Sequence, residues 1–168
     1  MANSTFIGEA KSKLIKELIK DSLIVKAIES PTISARTPEK LINTHIFNYN
    51  QNPNTINEVI TFITVQVHIE SNNYLFDKNT YVHPTIEIWI ISHEKHMNVD
   101  NIPKVTENRN DYIAKLIDQK FTGKSGLGLG ELTLITNIEG SFQADYLFRK
   151  MVFRGTDLNN SLCEEEIL

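Results

Sequence analysis

The chain of 168 residues has one cysteine, Cys163, and a lone cysteine closes no internal disulfide. Nothing in it calls for an oxidising compartment. It also lacks a long apolar run. The richest stretch, residues 59–69, is broken by Thr61, Thr64, Gln66 and His68, whereas crossing a bilayer takes roughly 20 apolar residues. Residues 1–8 show no basic segment followed by an apolar one, so no secretory signal is read there, and the chain is expected in the cytoplasm where it is made. A basic surplus is missing too: 17 lysines and arginines face 21 aspartates and glutamates, for a net charge of −4. A duplex-binding protein needs a basic footprint to neutralise phosphates, and this composition argues against one. No internal repeat and no low-complexity linker divides the chain, which reads as one domain over residues 1–168.

Catalytic and cofactor motifs are equally scarce. Gly123-Lys124-Ser125 has the end of a phosphate loop, but Asp118 stands where its first glycine belongs, and the segment follows a helical pattern instead of a strand. Gly126, Gly128 and Gly130 lack the dinucleotide spacing, so residues 122–130, with four glycines, read as a flexible loop or as one with several positive-φ positions. His93 and His96 flank Glu94 at a spacing of three, not the four that puts two zinc ligands on one helical face. Cys163 sits beside Glu164, Glu165 and Glu166, whose charge disfavours a thiolate. No Ser, His and acid are arranged for nucleophilic catalysis. The expectation is a protein without enzymatic activity, cofactor or metal.

What the chain does have is patterned secondary structure. Leu14, Ile15, Leu18, Ile19, Ser22 and Leu23 recur on one helical face within residues 9–25, with lysines over the remainder. That helix must end before Ser30-Pro31. Thr37 and Pro38 open a short helical segment, and residues 45–49 fit a short strand. In residues 59–69, Ile63, Val65, Val67 and Ile69 alternate with Ile60, Phe62 and then polar side chains, which marks a half-buried strand. Residues 85–92 repeat the pattern, so the two read as an antiparallel hairpin with a polar connection over 72–83. Asn108 caps a second helix, Asp111 suits its first turn, and Ile113, Leu116, Ile117 and Phe121 form its stripe. A third strand is expected over 132–136, a turn at Glu139-Gly140-Ser141 and a fourth strand over 144–154. The fold class is α+β: an antiparallel sheet of about four strands with two main helices on one face, and an acidic tail at 160–168 that is mobile or ordered by a partner.

This order of segments, with a hairpin strand ending in Ser92-His93 and then Arg109-Asn110-Asp111-Tyr112-Ile113-Ala114 running into Leu116-Ile117-Asp118, resembles the tail terminator and neck proteins of long-tailed bacteriophages. The likeness extends over roughly residues 11–159. It implies a ring-forming subunit, usually six copies, at the head-proximal end of the tail, where the ring ends tail-tube polymerisation and meets the neck. The implied partners are further copies of the chain, the tail tube protein and neck or connector proteins, with DNA only in transit through the lumen and no membrane. The implied location is the virion, reached from the host cytoplasm. Interface candidates on loop character are Tyr49, Tyr74, Phe76, Lys124, Leu127 and Leu129, joined by Arg109 and Asp111 at the start of the second helix. A head-completion protein on the portal side, an adaptor whose first helix docks in a partner's groove, and a small metal-dependent enzyme built on the histidines are the rival readings.

Overall fold

The computed structural model describes residues 4–56, 58–73, 80–142 and 145–155. The expected first helix is two. α1 (Ser4–Lys20) stops at Asp21, whose side chain accepts hydrogen bonds from the backbone of Leu23 and Ile24 and so caps α2 (Ser22–Ile28). The apolar spacing continues through the break, which is why one helix is expected from it. α2 ends at Glu29, a non-glycine residue at φ 49. A short 3-10 turn, Pro38–Leu41, follows, although the Thr37 side chain makes no capping bond there. α3 (Arg109–Phe121) is capped as expected, with the Asn108 side chain accepting from the backbone N–H of Asp111 at 2.9 Å.

Five strands form one mixed sheet in the order β1-β2-β3-β5-β4. β1 (Ile46–Phe47) lies parallel to β2 (Thr61–Asn73), a correction to the wholly antiparallel expectation. β2 pairs antiparallel with β3 (Thr80–His93), so the strands reach into what was expected to be a polar loop over 72–83. β5 (Tyr146–Gly155) lies between β3 and β4 (Leu132–Phe142), antiparallel to both. The turn expected at Glu139-Gly140-Ser141 is strand. Gly140 pairs with Phe148, and a Cβ added to Gly140 would stand 2.6 Å from the Phe148 ring. The glycine therefore makes room for an aromatic ring lying over the ladder, a use of strand glycine with no turn in it.

The helices pack on one face. Leu14, Leu18, Ile24, Ile28, Ile113, Ile117 and Phe121 meet Ile63, Val65, Ile86, Ile88, Ile90, Met151 and Phe153 of the sheet in one buried cluster. The alternate side chains Phe62 and Ile91 join Phe47, Ile60 and Tyr146 in a second cluster on the other face, with Trp89, Phe142 and Phe148 half-buried against it. No helix among the described residues contributes to that second cluster. Its cover is irregular chain, held in part by the Tyr146 hydroxyl, which donates to the Glu58 carbonyl at 2.7 Å.

Candidate functional site

The nearest approach to a catalytic constellation is a chain of polar side chains running from α2 to the sheet. Glu29 Oε2 lies 3.8 Å from His96 Nε2, and His96 Nδ1 is 2.8 Å from the Thr61 hydroxyl. Thr61 is 2.8 Å from the Ser92 hydroxyl, which donates to Asn110 Oδ1 at 2.7 Å, and the Asn110 amide donates to the Leu147 carbonyl. The directions follow from proton counting. Ser92 spends its one hydrogen on Asn110, so Thr61 must donate to Ser92, and His96 Nδ1–H must donate to Thr61. His96 thus already holds a proton on the nitrogen that a general base would use, the reverse of a serine-hydrolase relay. Thr61 and Ser92 are fully buried, so no substrate reaches either hydroxyl. The chain cross-links α3 and the residues after β3 to the sheet. Burial, then the nearby Arg109 charge, lowers the His96 pKa and so favours the neutral ring.

Arg109 completes this cross-link. It is 1% exposed and donates to the carbonyls of Ala27, His96 and Asn98 and to the Glu29 carboxylate. The positive-φ cap of α2 places Glu29 for that contact. As an interface candidate Arg109 is corrected: its whole guanidinium is used inside the subunit. Leu129 is corrected likewise, being a fully buried residue of the glycine-rich loop. Asp111 is half-buried and ion-paired to Arg149, which also reaches Glu139. Tyr74 and Phe76 lie outside the described residues.

Two candidates that remain accessible, Lys124 and Leu127, belong to one groove. It encloses about 640 Å³ between α1, α2, the end of α3 and the glycine-rich loop, and Leu23, Leu116 and Phe121 form its apolar wall. Gly123, Gly126, Gly128 and Gly130 all sit at positive φ, as the glycine content leads one to expect, and this folds the loop over the groove. Lys120 spans the groove toward Glu17 and Asp21, at 3.7 and 4.0 Å. Tyr49 is 47% exposed beside Phe47. The exposed apolar residues Leu23, Val59, Ile135 and Ile138 were not among the candidates. Ile138 falls outside the expected strand because the expected turn ends that strand too early, whereas Ile135 lies within it, alternating with Leu134 and Thr136.

Among the described residues no group of three or more His, Cys, Asp or Glu side chains is placed to hold a metal ion, and no helix is long and apolar enough to cross a membrane. Residues 12–154 match the profile of the YomW family. The chain belongs to the YomW family. The family name is phage-derived, from an SPbeta-like prophage, which agrees with the phage side of the resemblance. Comparison with curated proteins gives no match. The part matched to YomW contains every residue of the polar chain, the Arg109 cross-link and the groove.

Proposed function

We propose that this YomW-family protein is a structural component of a phage tail, a subunit that closes into a ring of about six copies at the head-proximal end of the tail tube. There it stops tube growth and presents a surface to the neck or connector, while DNA passes through the lumen without being held. Its place is the virion, and it assembles in the host cytoplasm. Its partners are its own copies, the tube protein and the neck proteins, and no turnover is involved.

The observation that carries this reading is the segment order of a phage-derived family realised as a two-layer α+β subunit whose sheet, among the described residues, is open at both ends. An open sheet edge is a surface for another chain, and a head-to-tail contact that closes gives a ring. The side chains nearest to a catalytic arrangement, His96, Thr61, Ser92 and Asn110, are instead used in joining α3 and the residues after β3 to the sheet. The net charge of −4 also suits a lumen that must release DNA.

The test is to mix purified protein with tail tubes lacking their terminal complex and image the tube ends by electron microscopy. Caps at one end only, with tube lengthening halted, are expected. Binding to filled heads that lack tails, with bare tube ends, would refute the assignment and place the protein on the portal side.

A further inference from the structure

We infer that the seam between neighbouring copies is a β-ladder, formed by the outer edge of β4 against the outer edge of β2 in the next copy. This inference rests on the ring reading above and adds the surface that makes the ring.

β4 is the last strand of the sheet, and no described strand pairs with its outer backbone edge over eleven residues. Such an edge is normally blunted by proline, by lysine or by a bulge. β4 has neither proline nor lysine, and its one charged residue, Glu139, is paired with Arg149. Its bulge lies between Leu134 and Thr136, near the start. From Thr136 to Phe142 the pairing with β5 is regular, so the opposite edge offers an unbroken row of backbone donors and acceptors. Ile135 and Ile138 stand 45% and 51% exposed on this same strand, where a partner strand would cover them.

The other end of the sheet is open in a complementary way. β1 pairs only with Ile63 and Thr64, so from Val65 onward β2 has no described strand on its outer side. Direction decides what fits there. β2 is antiparallel to β3, β3 to β5 and β5 to β4, so β4 runs opposite to β2. A second copy placed head to tail, with its helices on the same side, therefore meets β4 with an antiparallel β2. The alternation of β2, β3, β5 and β4 then continues across the seam. Repetition of that contact pairs every β4 edge and every stretch of β2 beyond Val65 once the ring closes, whereas pairing of β4 with its own counterpart makes a closed dimer and stops there.

The experiment uses full-length protein. Ile135→Lys with Ile138→Lys is measured by mass photometry beside the wild type, with circular dichroism to establish folding. The expected result is a folded protein whose copy–copy affinity is at least about tenfold weaker, as loss of two buried isoleucines implies. In a Cys163→Ser background, His68→Cys with Ile138→Cys is treated with a short bismaleimide and should give a ladder of covalent oligomers, while Ile138→Cys alone stays monomeric on a denaturing gel. Cross-linked dimers from Ile138→Cys alone would overturn the partner strand named here. Intact rings from the lysine variant would overturn β4 as the seam and leave the ring reading standing. A wild type that stays monomeric both alone and on tube ends would overturn the two together.

Discussion

Replacing Arg109 is the sharpest structural perturbation available, because its side chain is fully committed inside the subunit. In Arg109→Ala the carbonyls of Ala27, His96 and Asn98 lose a charged donor, and Glu29 loses its closest cation. Hydrogen bonds to charged groups contribute about 1.5–3 kcal/mol each, and four on one side chain do not add in full. Breaking a buried ion pair from one side costs about 3–5 kcal/mol. Glu29 is 38% exposed and regains water, so the net loss is set mainly by the carbonyls, at about 4 kcal/mol. With a urea slope of about 2 kcal/mol/M, the unfolding midpoint should fall by about 2 M. Arg109→Lys keeps the charge, but one ammonium does not serve four divergent acceptors, and about half of the loss is expected to persist. The assay is urea denaturation followed by circular dichroism, with the Glu29→Gln double variant to measure coupling. A midpoint within about 0.3 M of wild type would refute the reasoning. If that same variant also failed to assemble, the guanidinium would have to serve an interface after all.

Other consequences follow from particular contacts. His45 and His96 both have pKa values lowered from 6.5, first by burial, so below about pH 6.5 the unfolded chain binds more protons than the folded one. Stability is therefore complete above that pH and falls as the pH drops toward the folded-state values, by up to about 1.4 kcal/mol per unit for each histidine; equal urea midpoints at about pH 7 and pH 5.5 would contradict this. Gly155→Ala puts a Cβ 2.1 Å from the Leu129 carbonyl oxygen, a backbone atom that cannot rotate away. A loss of about 2–3 kcal/mol is expected, and a melting temperature unchanged from wild type would show that the β5 end is not held against the glycine-rich loop. Asp21→Ala removes the cap of α2 and should cost about 1 kcal/mol, whereas Asp21→Asn should cost much less; equal losses would assign the effect to the Lys120 contact.

The parts of this fold that were legible in the sequence are those fixed by neighbouring residues. α3 follows from Asn108, Asp111 and an apolar stripe, and each does locally what its type predicts. The faces of β2 follow from strict alternation, with Ile63, Val65 and Val67 inward against the helices. The parts that were not legible depend on partners far along the chain. Asp21 interrupts a helix by capping the next one, although the apolar spacing runs on undisturbed. A short strand is read over 45–49, where β1 stands, but its parallel pairing with Ile63 and Thr64 of β2 leaves no periodic trace. Gly140 reads as a turn until Phe148 is known to lie over it. Arg109 reads as a surface charge until Ala27 and Glu29, some eighty residues earlier, are brought to it. The glycine-rich segment was legible as a loop, flexible or with positive-φ positions, and the structure has the second; the groove it covers was not legible, since α1 and α2 supply the opposite wall.

The central claim is that copies of this chain close into a ring, and the most direct measurement is mass photometry over a wide concentration range, with electron microscopy of any large species and with tube ends added as template. The account predicts a discrete species of about six copies with a central hole, free in solution or formed on tube ends. A monomer at every concentration, with and without tube ends, would contradict it.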